Sequence, residues 1–430
     1  MAQQPGGVRN KIVTLESLQP PVSDTLEAVG PAEPDLLEHR LRTERYNQIM
    51  ERLRQETATA GSNLMITVQD REASILQSEL ARQAAEGTPL DSGGLEAKFG
   101  TGFAGGDWFG WIRSVFDHVD RRQAHPIVRP TTTKPEPMAD TCRIALAADW
   151  GTGLYGAPKI ADQMRKVGGY ELLMHLGDVY YSGTEQEVQE RFLDIWPRDA
   201  GKRTIAVNSN HEMYSGGFGY FKLALPAIGQ KSSYLAFENK HWLFVILDTA
   251  YVDHDMDNEQ VAWLNLVLKQ SREANGNVAK KLVLFSHQQP YSRLDSQGPK
   301  LQNALRHLLT ARAITAWYWG HEHQCVIYDK HTEFGLLGRC LGNGGIPEVR
   351  KSEVKNAPTE KSLEGVMWKR LEATKDCPRC LALDGPNPDI AGETEKFVPH
   401  GYMTLELNGA KLTERVHLAN GREILKNDVS

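Results

Sequence analysis

The segment 172–181, LLMHLGDVYY, carries the pattern that decides the fold of this 430-residue chain. A short apolar run ends at Gly177, and the polar side chains of Asp178 and Tyr181 follow. Apolar runs of this length are typical of buried strands. In sheets that alternate with helices, ligands bind just beyond the carboxyl ends of the strands. The segment therefore predicts a strand with a polar site at its end.

Similar apolar runs alternate with amphipathic segments from Arg143 onward. The runs cover 144–148, 172–176, 204–207, 242–247, 282–285 and 314–319. Helical spacing occurs at 157–167, at 185–195 and from Asn258 to about Arg272. Asp257 is the predicted N-cap of the last helix, with Gln260 as its capping-box partner. This alternation predicts a layered α/β domain.

The chain before residue 141 has a different composition. Residues 1–34 are rich in Pro, Gly and acidic side chains without apolar periodicity, so we expect an extended arm. Apolar residues at helical spacing predict a helical appendage at 35–124. Four prolines predict a linker at 125–140. The main domain is then expected at 141–427, with an insertion at about 349–399.

Overall charge and hydropathy exclude some classes of partner. The formal net charge is -6 and the pI is near 6.2, so no basic face for nucleic acid is expected. No apolar stretch reaches the roughly 18 residues that span a bilayer, and the first ten residues do not read as a secretion signal. We therefore expect a soluble, cytoplasmic protein. The appendage is expected to be structural or to mediate oligomerisation through its helices, and a membrane-surface or partner helix is the alternative.

Cysteine usage fits a reducing compartment. Five cysteines in 430 residues are few and odd in number, which argues against a disulfide framework. Cys377 and Cys380 have the spacing of half a zinc knuckle. A metal or redox role and a reduced loop are both open for this pair.

Five patches of potential metal ligands each follow an apolar run. They are Asp149; Asp178 with Tyr181; Asn210 with His211 and Glu212; His287; and His321 with His323. Carboxylate, amide, imidazole and phenolate groups suit Fe, Mn or Zn. Two such ions about 3.5–4 Å apart need a bridging carboxylate, and Asp178 is the natural bridge. If their segment is extended, His321 and His323 point to the same side.

In the same order, these patches resemble the five signature blocks of the calcineurin-like metallophosphoesterases. The blocks are Asp149-Trp150-Gly151, Gly177-Asp178-Val179-Tyr180-Tyr181, Asn210-His211-Glu212, His287 and Gly320-His321-Glu322-His323. Gly151 stands where most of the superfamily has a metal-binding His, and Tyr181 closes the second block. That exchange resembles the purple acid phosphatase branch. The resemblance covers roughly 143–348 and implies a four-layer α/β/β/α sandwich, to which the helical N-terminal appendage is added.

The resemblance also implies two metal ions and their ligands. One ion is expected on Asp149, Asp178, Tyr181 and His323, and the other on Asp178, Asn210, His287 and His321. Tyr180 is the neighbouring alternative to Tyr181. A phenolate ligand implies ferric iron at the first site, paired with Fe, Zn or Mn at the second.

The implied activity is hydrolysis of a phosphorylated small molecule, a phosphomonoester, by a hydroxide that bridges the two metals. His211 and Glu212 are the expected catalytic residues. His211 is expected to contact the phosphate or protonate the leaving oxygen, and the alternative is that it only orients Asn210. Arg293 is a candidate phosphate contact, and an ordinary surface charge is the alternative.

One departure from the family affects this expectation. Purple acid phosphatases commonly carry another His shortly after the position of His287, and 292–298 contains none. Protonation of the leaving group is therefore expected to fall on His211 alone. His254, among aspartates, is expected in a solvated, helix-capping loop.

Two other functions remain open at this stage. The same metals would support a phosphodiesterase that acts on a nucleotide or a lipid headgroup. A catalytically silent binding or assembly protein is the alternative of another class.

Overall fold

The computed structural model describes residues 48, 71, 73–75, 77–78, 124–151, 153–179, 181–363 and 365–429. The chain divides into two compact units, Met1–Gln123 and Ala124–Ser430. The few described residues of the first unit are helical. The expected arm at 1–34 and most of the expected appendage at 35–124 lie outside the described residues, so both stay predictions.

The second unit is built from alternating strands and helices. Its strands are β1 (Glu136–Pro137), β2 (Thr141–Ala147), β3 (Tyr170–His175), β4 (Gly201–Ala206), β5 (Leu235–Glu238), β6 (Trp242–Ile246), β7 (Lys281–Phe285), β8 (Ile314–Trp319), β9 (Cys325–Lys330), β10 (Leu337–Leu341), β11 (Thr359–Leu363), β12 (Val366–Leu371), β13 (Cys380–Asp384), β14 (Gly401–Asn408), β15 (Lys411–Leu418) and β16 (Glu423–Asp428). Its α-helices are α1 (Ala157–Val167), α2 (Glu185–Glu187), α3 (Asn210–Tyr214), α4 (Leu225–Ile228), α5 (Asn258–Ala274), α6 (Pro299–Ala304), α7 (Arg306–Thr310) and α8 (Ser352–Lys355). π-Helical turns occupy Val188–Leu193 and Gly219–Ala224, and a 3₁₀ turn occupies Arg198–Ala200.

The strands form two sheets. One has the order β16-β15-β14-β2-β3-β4, and the other has the order β1-β5-β6-β7-β8-β10-β9-β13-β12-β11. Strands β2, β3 and β4 are mutually parallel, as are β6, β7, β8 and β10. Each parallel group therefore presents all its carboxyl ends at one edge of its sheet.

Three apolar clusters separate the layers. The first lies between the sheets and joins Leu146 and Leu172 of the six-stranded sheet to Phe244 and Phe285 of the ten-stranded sheet. The second packs the outer face of the ten-stranded sheet against α5. The third packs the outer face of the six-stranded sheet against α1. The predicted α/β/β/α order of layers is confirmed.

Local patterns predicted most of these elements. Each of the six apolar runs overlaps a strand, and α1 begins and ends where its periodicity does. Asp257 caps α5 as predicted, because its carboxylate accepts the Gln260 N–H at 2.8 Å. The predicted capping-box role of Gln260 was wrong. Its amide side chain instead hydrogen-bonds the backbone of Asp248 at 2.8 and 2.7 Å.

Two segments are more closely built into the sheets than their composition suggested. The segment 125–140, expected as a linker, contributes β1, which pairs with β5, and buries Met138. The segment 349–399, expected as an insertion, contributes β11, β12 and β13, which extend the ten-stranded sheet beyond β9. The boundaries of the domains themselves stay predictions. No helix among the described residues is both long and apolar enough to cross a membrane.

A buried ion pair connects the two sheets. Arg339 of β10 donates from Nε to Oε1 of Glu414 of β15 at 2.7 Å, and both side chains are buried. The Tyr318 hydroxyl donates to the second oxygen of Glu414 at 3.0 Å. Asn427 donates to the first at 3.0 Å. The carboxylate is thus fully hydrogen-bonded inside the sandwich, as a buried charge requires.

Replacing Glu414 by Leu is expected to destabilise the fold by about 3–5 kcal/mol, because it strands the Arg339 guanidinium in the core. The double variant Arg339→Met with Glu414→Leu is expected to recover most of that loss, since it leaves no unpaired charge. Denaturant midpoints followed by tryptophan fluorescence measure both effects. The control is Asp329→Ala, which breaks the exposed pair with Arg379 and should leave the midpoint nearly unchanged. A double variant no more stable than the single one would contradict this account.

Candidate metal centre

The parallel strands bring their polar ends together. Asp149 follows β2, Asp178 follows β3, and Asn210 opens α3 after β4. From the facing sheet, His287 follows β7 and His321 follows β8. All five side chains are buried.

Asp178 belongs to two groups of potential ligands. In one, Asp178, His287 and His321 each offer an atom within 4.8 Å of the others; in the other, Asp149, Asp178 and His323 do the same. The two carboxylate oxygens divide between the groups. Oδ1 lies 3.3 Å from His287 Nε2, and Oδ2 lies 3.8 Å from His323 Nε2. This is the geometry that a bridging carboxylate needs.

Asn210 joins the group that contains His287. Its amide oxygen lies 3.1 Å from His287 Nε2, and its amide nitrogen donates to the Tyr214 hydroxyl at 3.0 Å. The latter bond fixes the oxygen toward His287. His321 Nδ1 is 3.2 Å from the same His287 nitrogen. The structure thus brings six of the seven expected ligands together, and their binding of metal stays a prediction.

His321 and His323 do not reach the site through an extended segment, as expected from their alternation. Both have left-handed backbones, with φ of 71° and 50°, and each side chain belongs to a different ligand group. The His321 N–H donates to the Asp149 carboxylate at 2.9 Å. The turn that aims these histidines therefore also anchors a ligand of the opposite sheet.

The two aspartates share this strain. Asp149 and Asp178 have φ of 54° and 59°. Such conformations are uncommon outside glycine and cost about 1–3 kcal/mol each, and they cluster at functional sites. Residues are held this way only where the surrounding structure fixes them. The strain singles out these positions independently of their side-chain chemistry.

Hydrogen bonds behind the ligands orient them. His287 Nδ1 donates to the Leu176 carbonyl oxygen at 2.8 Å, which leaves Nε2 facing Asp178 and Asn210. Ser209 donates from Oγ to Asp178 Oδ1 at 2.5 Å and accepts the Asp178 N–H at 3.1 Å. Outer contacts of this kind hold metal ligands in place in proteins.

Burial and the close approach of charged groups shift the pKa values of the residues at the centre. Burial raises the pKa of Asp149 to about 8, helped by the charge of Asp178. Burial would also raise the pKa of Asp178, but the histidines His211 and His287 outweigh it and hold that pKa well below its usual range. Burial by itself would lower the pKa of His287. The charge of Asp178 outweighs that effect, so the pKa of His287 rises to about 9. Asp178 thus stays ionised and draws positive charge to itself.

Three buried atoms at the centre have no hydrogen-bond partner among the described residues. They are Asp178 Oδ2, His323 Nε2 and His211 Nε2. Leaving such atoms unpaired is costly, so each is expected to meet a partner in the working protein. A carboxylate oxygen and imidazole nitrogens that face one another fit a bound cation.

His211 and Glu212 lie on different sides of Asp178. His211 Nδ1 donates to the Tyr181 carbonyl oxygen at 2.5 Å, and its Nε2 is 3.7 Å from Asp178 Oδ2. Burial, reinforced by Asp178, raises the pKa of Glu212 well above its usual range. Glu212 can then donate to Ser209, and it also accepts the Asp178 N–H at 3.3 Å.

The hydroxyl of Tyr181 is buried, and burial raises its pKa. The Tyr181 N–H donates to Glu187 at 3.3 Å. Its role as a ligand stays a prediction, and Tyr180 lies outside the described residues.

Arg293 is already engaged with other groups. Its guanidinium donates to Glu353 at 3.3 Å and to the Glu372 carbonyl oxygen at 3.4 Å. A phosphate contact would have to compete with both, and that role stays a prediction. Cys377 and Cys380 are free and buried, and neither belongs to a ligand group found among the described residues.

Sequence reasoning missed three residues near the ligands. Ser209 donates a hydrogen bond to Asp178. Glu348 approaches His323 Nδ1 to 3.6 Å. His254, expected in solvent, places its ring edge-on to the ring of His321, with 5.2 Å between centroids. The aspartates around His254 indicated a solvated loop. The position of His254 beside His321 was not predictable, because neighbouring residues do not show which way a loop folds.

Residues 142–325 match the family model described as calcineurin-like phosphoesterase. The matched segment contains every expected ligand, and it supports the superfamily resemblance and metal-dependent phosphoester hydrolysis in general. No curated protein matches this chain in sequence.

Several solved structures are similar. They include "GAP50 the anchor in the inner membrane complex of Plasmodium" (12% identity, covering 67% of this chain and 88% of that chain, TM-score 0.43), PhoD (12%, 69% and 73%, 0.42) and Vacuolar Protein Sorting 29 from Cryptosporidium parvum (12%, 67% and 97%, 0.32).

If Asp178 serves both groups, Asp178→Asn is expected to lower the affinity of both metals, since the amide cannot bridge two cations. His321→Ala and His323→Ala should each lower the metal content by about one ion per chain. Elemental analysis after dialysis against a weak chelator measures this. His307→Ala, at an exposed histidine of α7, is the matched control. If the Asp178→Asn protein lost only one of the two ions, Asp178 would not be a ligand shared by both.

Proposed function

We propose that this chain is a metal-dependent phosphomonoesterase that hydrolyses a phosphorylated small molecule at a pair of metal ions. The observation that supports the proposal most strongly is the division of the Asp178 carboxylate between two ligand groups. Metal pairs that share a carboxylate suit in-line displacement at phosphorus. The family match over 142–325 supports the same class of reaction.

The proposed ligands of one ion are Asp149, Asp178, Tyr181 and His323, and those of the other are Asp178, Asn210, His287 and His321. When bound, such ions supply a hydroxide nucleophile near neutral pH and neutralise charge on the phosphoryl oxygens.

His211 is proposed to contact the substrate. Its Nδ1 is committed to the Tyr181 carbonyl oxygen, so Nε2 is the atom that faces the centre. A proton held at Nε2 can pass to the leaving oxygen of the substrate. Because the ring is fully buried, it cannot turn away without losing the bond to Tyr181.

Glu212 is proposed to position other groups rather than to touch the substrate. Its carboxyl group contacts the Ser209 hydroxyl and the Asp178 N–H, both behind the ligands. Through Ser209 it also acts on Asp178 Oδ1. Its substitution should therefore change metal affinity more than the pH dependence of turnover.

The activity is tested with metal-reconstituted protein and two chromogenic substrates. We expect faster hydrolysis of p-nitrophenyl phosphate than of bis(p-nitrophenyl) phosphate, and a loss of about 10²–10⁴-fold in kcat for His211→Ala with metal content unchanged. His307→Ala is again the control. A strong preference for the diester would favour a phosphodiesterase instead. No hydrolysis across a broad panel of phosphate esters would favour a silent binding or assembly protein.

The metal pair is proposed to include iron bound by Tyr181, as in the purple acid phosphatase branch. Phenolate bound to ferric iron absorbs visible light, so freshly purified protein should show a band that disappears in Tyr181→Phe. Tyr155→Phe is the matched control, because Tyr155 is a partly buried neighbour of Tyr181 and not a proposed ligand. Active protein that contains only Mn or Zn and lacks the band would remove the iron assignment and leave phosphoester hydrolysis in place.

A further inference from the structure

The loop that follows β6 is fixed at its base. The Asp248 carboxylate accepts the N–H groups of Ala250 and Tyr251 at 3.2 and 3.0 Å and the amide of Asn208 at 3.1 Å. The backbone of Asp248 is held in turn by Gln260 of α5. The loop is therefore tied to the end of β4 and to α5.

The tip of the loop is also held in place by hydrogen bonds. Val252 and Asp255 pair across it in a β-bridge, and Lys300 of α6 donates to the Asp253 carbonyl oxygen at 2.9 Å. Between them, His254 has a left-handed backbone with φ of 55°. Only a few per cent of residues other than glycine adopt this conformation. The tip thus aims the His254 side chain in one direction.

The His254 side chain points toward the ligand group that contains Asp178, His287 and His321. The His254 ring stands nearly perpendicular to the ring of His321, at 80°, with 5.2 Å between centroids. The His254 side chain is 38% exposed, whereas His321 is buried. His254 therefore borders both the ligand group and solvent, where a substrate would enter.

Asp253 fixes the orientation of the imidazole. Its carboxylate lies 2.7 Å from His254 Nδ1 and accepts that hydrogen bond. Nε2 is then the free end of the ring. Nε2 is therefore the ring atom that can hydrogen-bond a phosphoryl group.

We propose that His254 is a substrate-contact residue whose Nε2 hydrogen-bonds the phosphoryl group. This rests on the proposed phosphoester hydrolysis. His211 faces Asp178 Oδ2, the oxygen nearest His323, whereas His254 stands beside His321 of the other group. The loop after β6 thus provides the second imidazole that the sequence after His287 lacks.

The test uses His254→Asn in the full-length, metal-loaded chain. Asn tolerates a left-handed backbone better than most residues, so the loop should keep its shape while the imidazole is lost. His254→Gly is a second variant free of backbone strain. His307→Asn is the matched control, at an exposed histidine that bonds Asn265. The measurements are metal content, the inhibition constant of inorganic phosphate, and KM and kcat for p-nitrophenyl phosphate.

We expect both His254 variants to keep the metal content of the wild type and to raise the phosphate inhibition constant and KM by about 5–50-fold, with a smaller change in kcat. Unchanged phosphate affinity and KM would overturn the proposal. So would lost metal with normal phosphate affinity after reloading, because that result assigns His254 to support of His321. Wild-type protein that neither binds phosphate nor hydrolyses esters would refute the proposed function itself, and this contact with it.

Discussion

The buried carboxylate of Asp178 is the constraint on which the site depends. A charge removed from water is costly unless it is paired and hydrogen-bonded. Here the compensation comes from three residues. His211 and Ser209 approach from the end of β4, and His287 approaches from the facing sheet. His287 could not reach Asp178 if the two sheets did not present their carboxyl ends to each other.

The sandwich therefore has to hold the ligand-bearing edges of its two sheets next to each other. Polar bonds contribute to this together with the apolar contacts between the sheets. The Arg339–Glu414 pair connects the sheets within the core and fixes their relative position through directional bonds. At the active edge, the His321 N–H binds the Asp149 carboxylate across the same interface. Left-handed backbones at ligands from both sheets carry a cost that these long-range bonds offset.

The sequence predicted the alternation of strands and helices, and the polar residues at the strand ends, because both depend on local patterns. An apolar run marks a strand wherever it pairs, and a polar residue just after it marks the strand's end. Properties that depend on distant partners were not predictable. Gln260 was predicted to act in the cap of α5, but its side chain binds Asp248. The segment that contains β1 was predicted to be a linker, because its partner strand β5 lies about 100 residues further along the chain. His254 is the clearest case, since its neighbours in sequence are aspartates and its neighbour in space is His321.

The two histidines outside the proposed ligand sets differ in a way that separates their tasks. His211 is fully buried, and its Nδ1 is bonded to the Tyr181 carbonyl oxygen, so Nε2 is the ring atom that faces the centre. His254 is partly exposed and lies beside Asp253, so it can meet an anion that arrives from solvent. A phosphate held between them would touch the exposed ring first and the buried ring last. With the roles proposed for His254 and His211, the loop after β6 would govern entry and affinity, whereas the start of α3 would govern the bond-breaking step.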